Sequence, residues 1–443
     1  MTESATPPVP TVHAPAGEIR GRTSNGVDRW LGIRYARAER FGRPTPEPRA
    51  DVISATIPSA ASPQVPYPDP MQILPGALTG LGVDEHCQRL SVHAPADRSP
   101  DERLPVVVFI HGGSYVTGAG DSPYYEPTLF VREQRVIWVA VTYRLGLLGY
   151  LPSSAGPGNL GLLDQREALR WVHRNIAAFG GDPDAVTVLG QSAGADAVAH
   201  LMISDGTEGL FRRIVSQSPP LGMAQGREGL SSIMGRRLDA SGRATGPIDH
   251  LMAIQERIGQ ASALRHSPQH VGMPYSVTYG IDPLPKESET AAAWAARARD
   301  IDVLMGTNVR ETAFYLPASV AAVSHRVAPV RLAVEATVRR TTRRVFTDAV
   351  TDFMHRHAAH SGHGYRYEID WGPRSDYYGA HVIEMPLLFQ NDAWRRSRLT
   401  NGVAWSEVEH RGRELRDLWG SFIRSGHIDG TGVEGLISID PLS

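Results

Sequence analysis

An α/β fold with a mostly parallel central sheet, covered by helices on both faces, is what this 443-residue chain predicts. Two observations carry it. Apolar, β-branched runs too short for helices alternate with segments of helical spacing, and those runs are apolar at successive rather than alternate positions, as strands buried on both faces are. A third observation bears on size: with 41% hydrophobic residues the chain can bury a large core. Length alone would allow about three domains, yet no linker divides the chain. The expected organisation is a loose tail over residues 1–15 and one domain over 16–443.

Taken in order, the tail MTESATPPVPTVHAP has no basic region followed by an apolar stretch, so it does not read as a signal peptide. The strand candidates are residues 106–111, 136–143, 186–190, 214–217, 303–306 and 365–370. The first runs into HGGS at 111–114, a turn sequence. The third leads into the most informative stretch, FGGDPDAVTVLGQSAG at 179–194, which is followed by AGADAVAHLM, a segment of helical composition. Ser192 therefore falls between a strand and a helix. Reversing the chain in so few residues forces a strained backbone at the serine and leaves room only for small neighbours, which Gly190 and Gly194 supply. Such a turn presents the hydroxyl and aims a helix amino terminus at charge that develops beside it.

Composition excludes several classes of partner. The formal charge of −2 and the absence of a basic run interleaved with aromatics give no sign of nucleic-acid binding. No run of about 18 apolar residues is present to span a membrane. Cys87 is the sole cysteine, so no intrachain disulfide forms, and a cytoplasmic, reducing compartment is expected. Of the 17 histidines, four cluster at 355, 357, 360 and 363; their spacing fits no common zinc pattern and reads as a solvated helix end. Neither a metal nor a cofactor is expected.

The sixteen residues around Ser192 resemble the signature of the type B carboxylesterases, the family of cholinesterases and bacterial p-nitrobenzyl esterases. The resemblance runs through the chain in order. WLGIRYARAERF (30–41) is similar to the family's GIPYA segment, and DEHCQRLSV (84–92) to its SEDCLYLNV strand. VVVFIHGG (106–113), VIWVAVTYRLGLLG (136–149) and GNLGLLDQREALRWVHRNIAAFGG (158–181) are close matches. Weaker matches follow at 211–218, 274–285, 305–311 and 379–389, while the amino terminus and residues 318–343 have no recognisable counterpart.

The resemblance implies an α/β-hydrolase fold and a serine esterase working through an acyl-enzyme on a small-molecule ester. A serine attacks at neutral pH only if a base takes its proton and a carboxylate orients that base, and in this fold the acid precedes the histidine. LMGTNVRE (304–311) is similar to the family's GTxxDEG, which puts Glu311 on the acid, with Arg310 and Thr312 where Asp and Gly are usual. GAHVIEMPLLF resembles GAxHxxELPFVF and puts His381 on the base; Glu384, three residues on, is the rival acid. The family reading assigns the oxyanion hole to the amides of Gly113, Ser114 and Ala193, with Gly112 giving the chain room. It also implies ion pairs Arg144–Asp164 and Arg40–Glu85, and a loop over the site at 64–82 that no disulfide closes here. Tyr115, Leu221, Met223, Phe314, Tyr315 and Leu388 flank the motifs as pocket candidates. Acyl transfer or ring closure by the same triad, and a non-catalytic binding protein, are the alternatives; oligomeric state is left open.

Overall fold

The structure is a computed structural model that describes residues 9–65 and 74–442. Its strands are β1 Thr11–Ala14, β2 Gly17–Arg20, β3 Arg22–Ser24, β4 Val27–Arg34, β5 Ala36–Arg37, β6 Thr45–Pro46, β7 Val52–Ser54 and β8 Arg89–Pro95. There follow β9 Leu104–Ile110, β10 Ile137–Thr142, β11 Gly181–Gln191, β12 Arg213–Gln217, β13 Asp302–Asn308, β14 Gly364–Ile369, β15 Gly432–Val433 and β16 Ile437–Pro441. Eleven of them form one sheet in the order β15-β16-β14-β13-β12-β11-β9-β10-β8-β4-β3. The six central strands, β14 to β10 in that order, pair in parallel. Those six are the six strand candidates of the sequence, and the antiparallel strands at either side were not among them. The strands at the middle of the sheet, β9 and β10 above all, are buried on both faces and largely apolar, whereas β14 and the outer strands mix polar and apolar positions.

The two faces of the sheet hold two cores. Val106, Val108 and Ile110 of β9 point into one, and Val107 and Phe109 into the other. Helices α1 Thr128–Gln134, α2 Gly146–Tyr150, α3 Leu160–Asn175 and α4 Ala193–Leu201 follow the early strands, and α5 Glu228–Ser241, α6 Ile248–His266 and α7 Thr290–Arg297 precede β13. α3, α4, α5 and α6 cover the first face; α1 and the long helix Trp405–Ser425, with Leu415, Trp419, Phe422 and Ile423, cover the second. The segment without a family counterpart folds as α8 Ala318–Arg326 and α9 Ala328–Thr342, followed by α10 Asp348–Ala359.

Two expectations are corrected here. Residues 1–8 of the expected tail lie outside the described residues, but Thr11–Ala14 is a strand paired with β2, and Pro10 O accepts a hydrogen bond from Trp30 Nε1 at 3.1 Å. The histidine cluster is not wholly solvated either: His357 is buried, its Nε2 is 3.3 Å from His363 O, and a Cβ on Gly362 would lie 2.4 Å from its ring.

Both implied ion pairs form, in different surroundings. Arg144 Nη2 and Nε each reach Asp164 at 2.8 Å, with the side chains 3% and 0% exposed. Arg40 meets Glu85 through two hydrogen bonds, with side chains 23% and 27% exposed. Removing one partner of a buried pair leaves an uncompensated charge, while a wetter pair contributes little. Asp164→Ala is therefore expected to lower stability by about 3–5 kcal/mol and Glu85→Ala by less than about 1 kcal/mol. Urea unfolding of both variants checks this, and equal losses would contradict it.

Candidate active site

β11 ends at Gln191, and α4 begins two residues later at Ala193. Ser192 between them has φ 58° and ψ −125°, a conformation that L-residues adopt only when the surroundings impose it. Ser192 N donates to Gln217 O at 2.8 Å, and Ser192 O accepts from Asp196 N at 2.9 Å, so strand β12 and the first turn of α4 both hold the turn. The glycines are required by close approach: a Cβ on Gly190 would lie 2.4 Å from Gly194 O, and one on Gly194 would lie 2.1 Å from Ile110 O. The serine caps no helix with its side chain, and it is more enclosed than a turn tip suggests, 7% exposed at the floor of a cavity.

Two further segments converge on it. His381 Nε2 lies 2.7 Å from Ser192 Oγ, and His381 Nδ1 lies 2.6 Å from Glu311 Oε2. Glu311 is fully buried at the end of β13, where Oε1 accepts from Asn308 N at 2.6 Å. Its backbone O also accepts from His381 N at 3.1 Å, which ties the two segments together. Arg310 does not pair with it. Arg310 Nη2 reaches Glu335 Oε1 at 2.6 Å, and Thr312 Oγ1 is 2.6 Å from Thr341 Oγ1, so α9 takes up both unusual neighbours and fixes the loop.

Glu384 does not reach the imidazole. It is fully buried, and its Oε2 accepts from Asn308 Nδ2 at 2.8 Å. Burial, and then the negative charge of Glu311, push its carboxyl up to about 7. The fold thus binds a proton that the unfolded chain, ordinary at about 4.5, has released between those pH values. This contribution is complete below about pH 4.5, falls as pH rises, and is gone above about pH 7. Glu384→Gln, which is neutral throughout and keeps an acceptor for Asn308, is expected to match the parent in melting temperature near pH 4.5 and exceed it at pH 8. Thermal scans at the two pH values check it; an equal difference at both would contradict the assignment.

Asn308 thus joins both carboxylates, and no local motif in the sequence marks it. Phe346, whose ring centroid lies 5.2 Å from that of His381, and Gln191, whose Nε2 is 3.5 Å from His381 Nε2, were also not singled out from the sequence. Phe346 lies just beyond residues 318–343, the segment without a family counterpart, and no motif covers it, while Gln191 had the signal of standing beside the serine.

The turn after β9 faces the serine. A Cβ on Gly112 would lie 2.6 Å from Gln191 O, and one on Gly113, at φ 113°, would lie 2.1 Å from Thr117 O. Ser114 and Tyr115 follow at φ 54° and 61°, each at a cost of about 1–2 kcal/mol. His111 is buried against Tyr143, which pushes its imidazole down to about 4 and keeps it neutral. In front of this turn lies a cavity of about 490 Å³ lined by Leu74, Leu78, Tyr124, Tyr125, Phe314 and Tyr315 together with Ser192 and His381. Of the pocket candidates, Phe314 and Tyr315 line it; Leu388 and Met223 are core, Leu221 packs beside the core, and Tyr115 is fully buried behind the turn. Residues 66–73 of the loop at 64–82 lie outside the described residues. The rest form a wall held by Ser122 Oγ on Ala77 O at 2.7 Å and Tyr124 OH on Pro75 O at 3.0 Å.

Comparison with known proteins gives the same picture. The model of the carboxylesterase family matches residues 8–332. A probable N-octanoylanthranilate hydrolase, AqdA2 of Rhodococcus erythropolis, is 35% identical over 434 residues, which cover 94% of this chain and 93% of that one. The para-nitrobenzyl esterase of Bacillus subtilis (strain 168) is 32% identical over 448 residues, 93% of this chain and 89% of that one. The solved structure of a thermophilic pNB esterase superimposes with a TM-score of 0.81 at 26% identity, over 97% of both chains, and gives this fold as that of an α/β-hydrolase. Hydrolase and esterase names across whole-length relatives do not favour acyl transfer or a non-catalytic binding role. The chain belongs to the carboxylesterase family and is a carboxylic ester hydrolase.

Proposed function

We propose that Ser192 is the nucleophile, His381 the general base and acid, and Glu311 the orienting carboxylate of a serine carboxylesterase. The observation that supports this most directly is the continuous line of hydrogen bonds, Ser192 Oγ to His381 Nε2 at 2.7 Å and His381 Nδ1 to Glu311 Oε2 at 2.6 Å, at the floor of the cavity. With Nδ1 donating its proton to the carboxylate, Nε2 is left to accept from the serine as Oγ attacks the ester carbonyl. Glu311 stabilises the imidazolium that forms, and the imidazolium then protonates the leaving alcohol. Water repeats the sequence on the acyl-enzyme. The amides of Gly113, Ser114 and Ala193 receive the oxyanion, each donor contributing about 3 kcal/mol, and Gly112 leaves the turn room to approach Ser192.

The substrate is a small uncharged ester with an apolar acyl or alcohol group. Among the described residues that line the cavity none is Asp, Glu, Lys or Arg, and aromatic rings make up much of the wall. One catalytic domain that takes in β1 from Thr11, and so starts earlier than the expected residue 16, is the organisation we propose, since β1 pairs with β2 and the eleven-stranded sheet takes strands from Arg22 to Pro441. The cytoplasm is the proposed compartment, on the ground of a single, buried cysteine. Burial and the charge of Asp164 push the Cys87 thiol up to about 12, which removes it as a competing nucleophile.

A fluorophosphonate probe is expected to label the peptide containing Ser192 and to abolish turnover of p-nitrophenyl esters graded from acetyl to octanoyl, the acyl group in the name of the Rhodococcus relative. A label mapped to any other serine would refute the assignment.

A further inference from the structure

Behind the oxyanion turn lies a polar cluster that the reaction described above leaves unused. Asp196, in the first turn of α4, is fully buried, and Tyr115, also fully buried, donates its hydroxyl to Asp196 Oδ2 at 2.6 Å. Asp196 Oδ1 has no hydrogen-bond partner among the described residues. One turn further on, His200 Nδ1 meets Asp196 O at 2.6 Å and lies 3.7 Å from Oδ2, while Nε2 meets Tyr279 OH at 2.7 Å. A buried carboxylate with one unmet oxygen is costly, and an apolar pair of similar volume would pack without that cost.

The location accounts for it. Tyr115 follows Ser114 in the chain, and both hold a left-handed backbone that relaxes unless its surroundings over-determine it. Asp196 stands three residues after Ala193, and its own amide closes the first turn of α4 on Ser192 O at 2.9 Å. The Tyr115 ring packs on Tyr150 at 4.4 Å, and Tyr115 O accepts from Gly146 N at 2.6 Å, so the residue is anchored at both ends. One side-chain hydrogen bond therefore joins the two pieces of backbone that supply the oxyanion donors.

We propose that Tyr115 and Asp196 are positioning residues, whose hydrogen bond holds the Gly113 and Ser114 amides at a fixed separation from the Ala193 amide. The inference rests on the reading of the site given under Proposed function. Donors that are aimed before charge develops stabilise it without reorganising, so loosening the tether acts on the transition state and not on substrate binding.

Tyr115→Phe keeps the ring and removes the hydroxyl. With p-nitrophenyl butyrate its kcat is expected to fall by about 10- to 100-fold while KM stays within about twofold. Affinity for a trifluoromethyl ketone, which places an oxyanion in the hole, should fall by the same factor. Asp196→Asn retains an acceptor oxygen for the tyrosine and should recover most of the activity. Tyr115→Phe/Asp196→Ala, which also takes the Asp196 charge away from the buried Arg227 guanidinium, should be no faster than Tyr115→Phe. Wild-type kcat and ketone affinity in Tyr115→Phe, or recovery of kcat in the double variant, would overturn the tether. Fluorophosphonate labelling of the parent enzyme separates the two levels: with Ser192 labelled, a fully active Tyr115→Phe overturns only this inference, and with Ser192 unlabelled the reading of the site falls with it.

Discussion

Ser192→Ala is expected to lower kcat for p-nitrophenyl acetate by about 10⁴-fold or more, with the melting temperature within about 2 °C of the parent. The two halves of that result have separate causes. Loss of Oγ removes the atom that forms the acyl-enzyme, and neither His381 nor the oxyanion amides replace it; what remains is the rate that binding and the hole alone supply. Stability is untouched because the strain at residue 192 belongs to the backbone, at φ 58°, and alanine meets the same strain as serine. Among the described residues, the hydroxyl's only hydrogen-bond partner to lose is the base itself. Turnover retained above a few per cent in a fully folded variant would remove Ser192 from the nucleophile's role.

Glu311→Gln is expected to lower kcat by about 10² to 10⁴ without loss of the fold, and Glu384→Gln to remain active. Glu311 serves two donors at once, Asn308 N on Oε1 and His381 Nδ1 on Oε2. A glutamine has one acceptor oxygen for the two. If that oxygen stays on Asn308 N, the amide nitrogen donates toward Nδ1 and drives the proton to Nε2, where the ring can no longer accept from Ser192. If the oxygen turns to the histidine, a buried backbone N–H faces another donor. Either arrangement costs rate, and the stability of the variant tells which one is taken. A fully active Glu311→Gln beside an inactive Glu384→Gln would move the acid to Glu384.

How far the sequence foretold the structure depended on how local the determinants were. β9, β10 and β13 were legible because their apolar residues stand at successive positions, a pattern that needs no partner to be seen, and β14 because Tyr365, Tyr367 and Ile369 alternate with Arg366 and Glu368. The turn at Ser192 was legible because Gly190 and Gly194 stand at fixed offsets and each is required by a contact close in sequence or just across the sheet. β1, with alternate burial along Thr11–Ala14, was too short to distinguish from a tail, and the burial of His357 depends on the bare backbone of Gly362 beneath its ring. Arg310 and Thr312 weakened the likeness around Glu311 because their partners, Glu335 and Thr341, lie in a segment with no counterpart to compare. Asn308 was invisible for the same reason: it matters only once β13 and the segment at 380–384 are side by side.

That α9 holds the loop of Glu311 has a consequence for remodelling this enzyme. The helix pair α8 and α9 follows directly on Phe314 and Tyr315, so it is an obvious place to exchange sequence in order to change what enters the cavity. An exchange there also releases Arg310 from Glu335 and Thr312 from Thr341, and selectivity and turnover then change together. The opposite wall, at residues 74–79, has no such link among the described residues: its hydrogen bonds there run to Ser122 and Tyr124 and none touches Ser192, His381 or Glu311. Libraries placed on that wall can alter substrate range at constant chemistry, and libraries placed on α9 cannot.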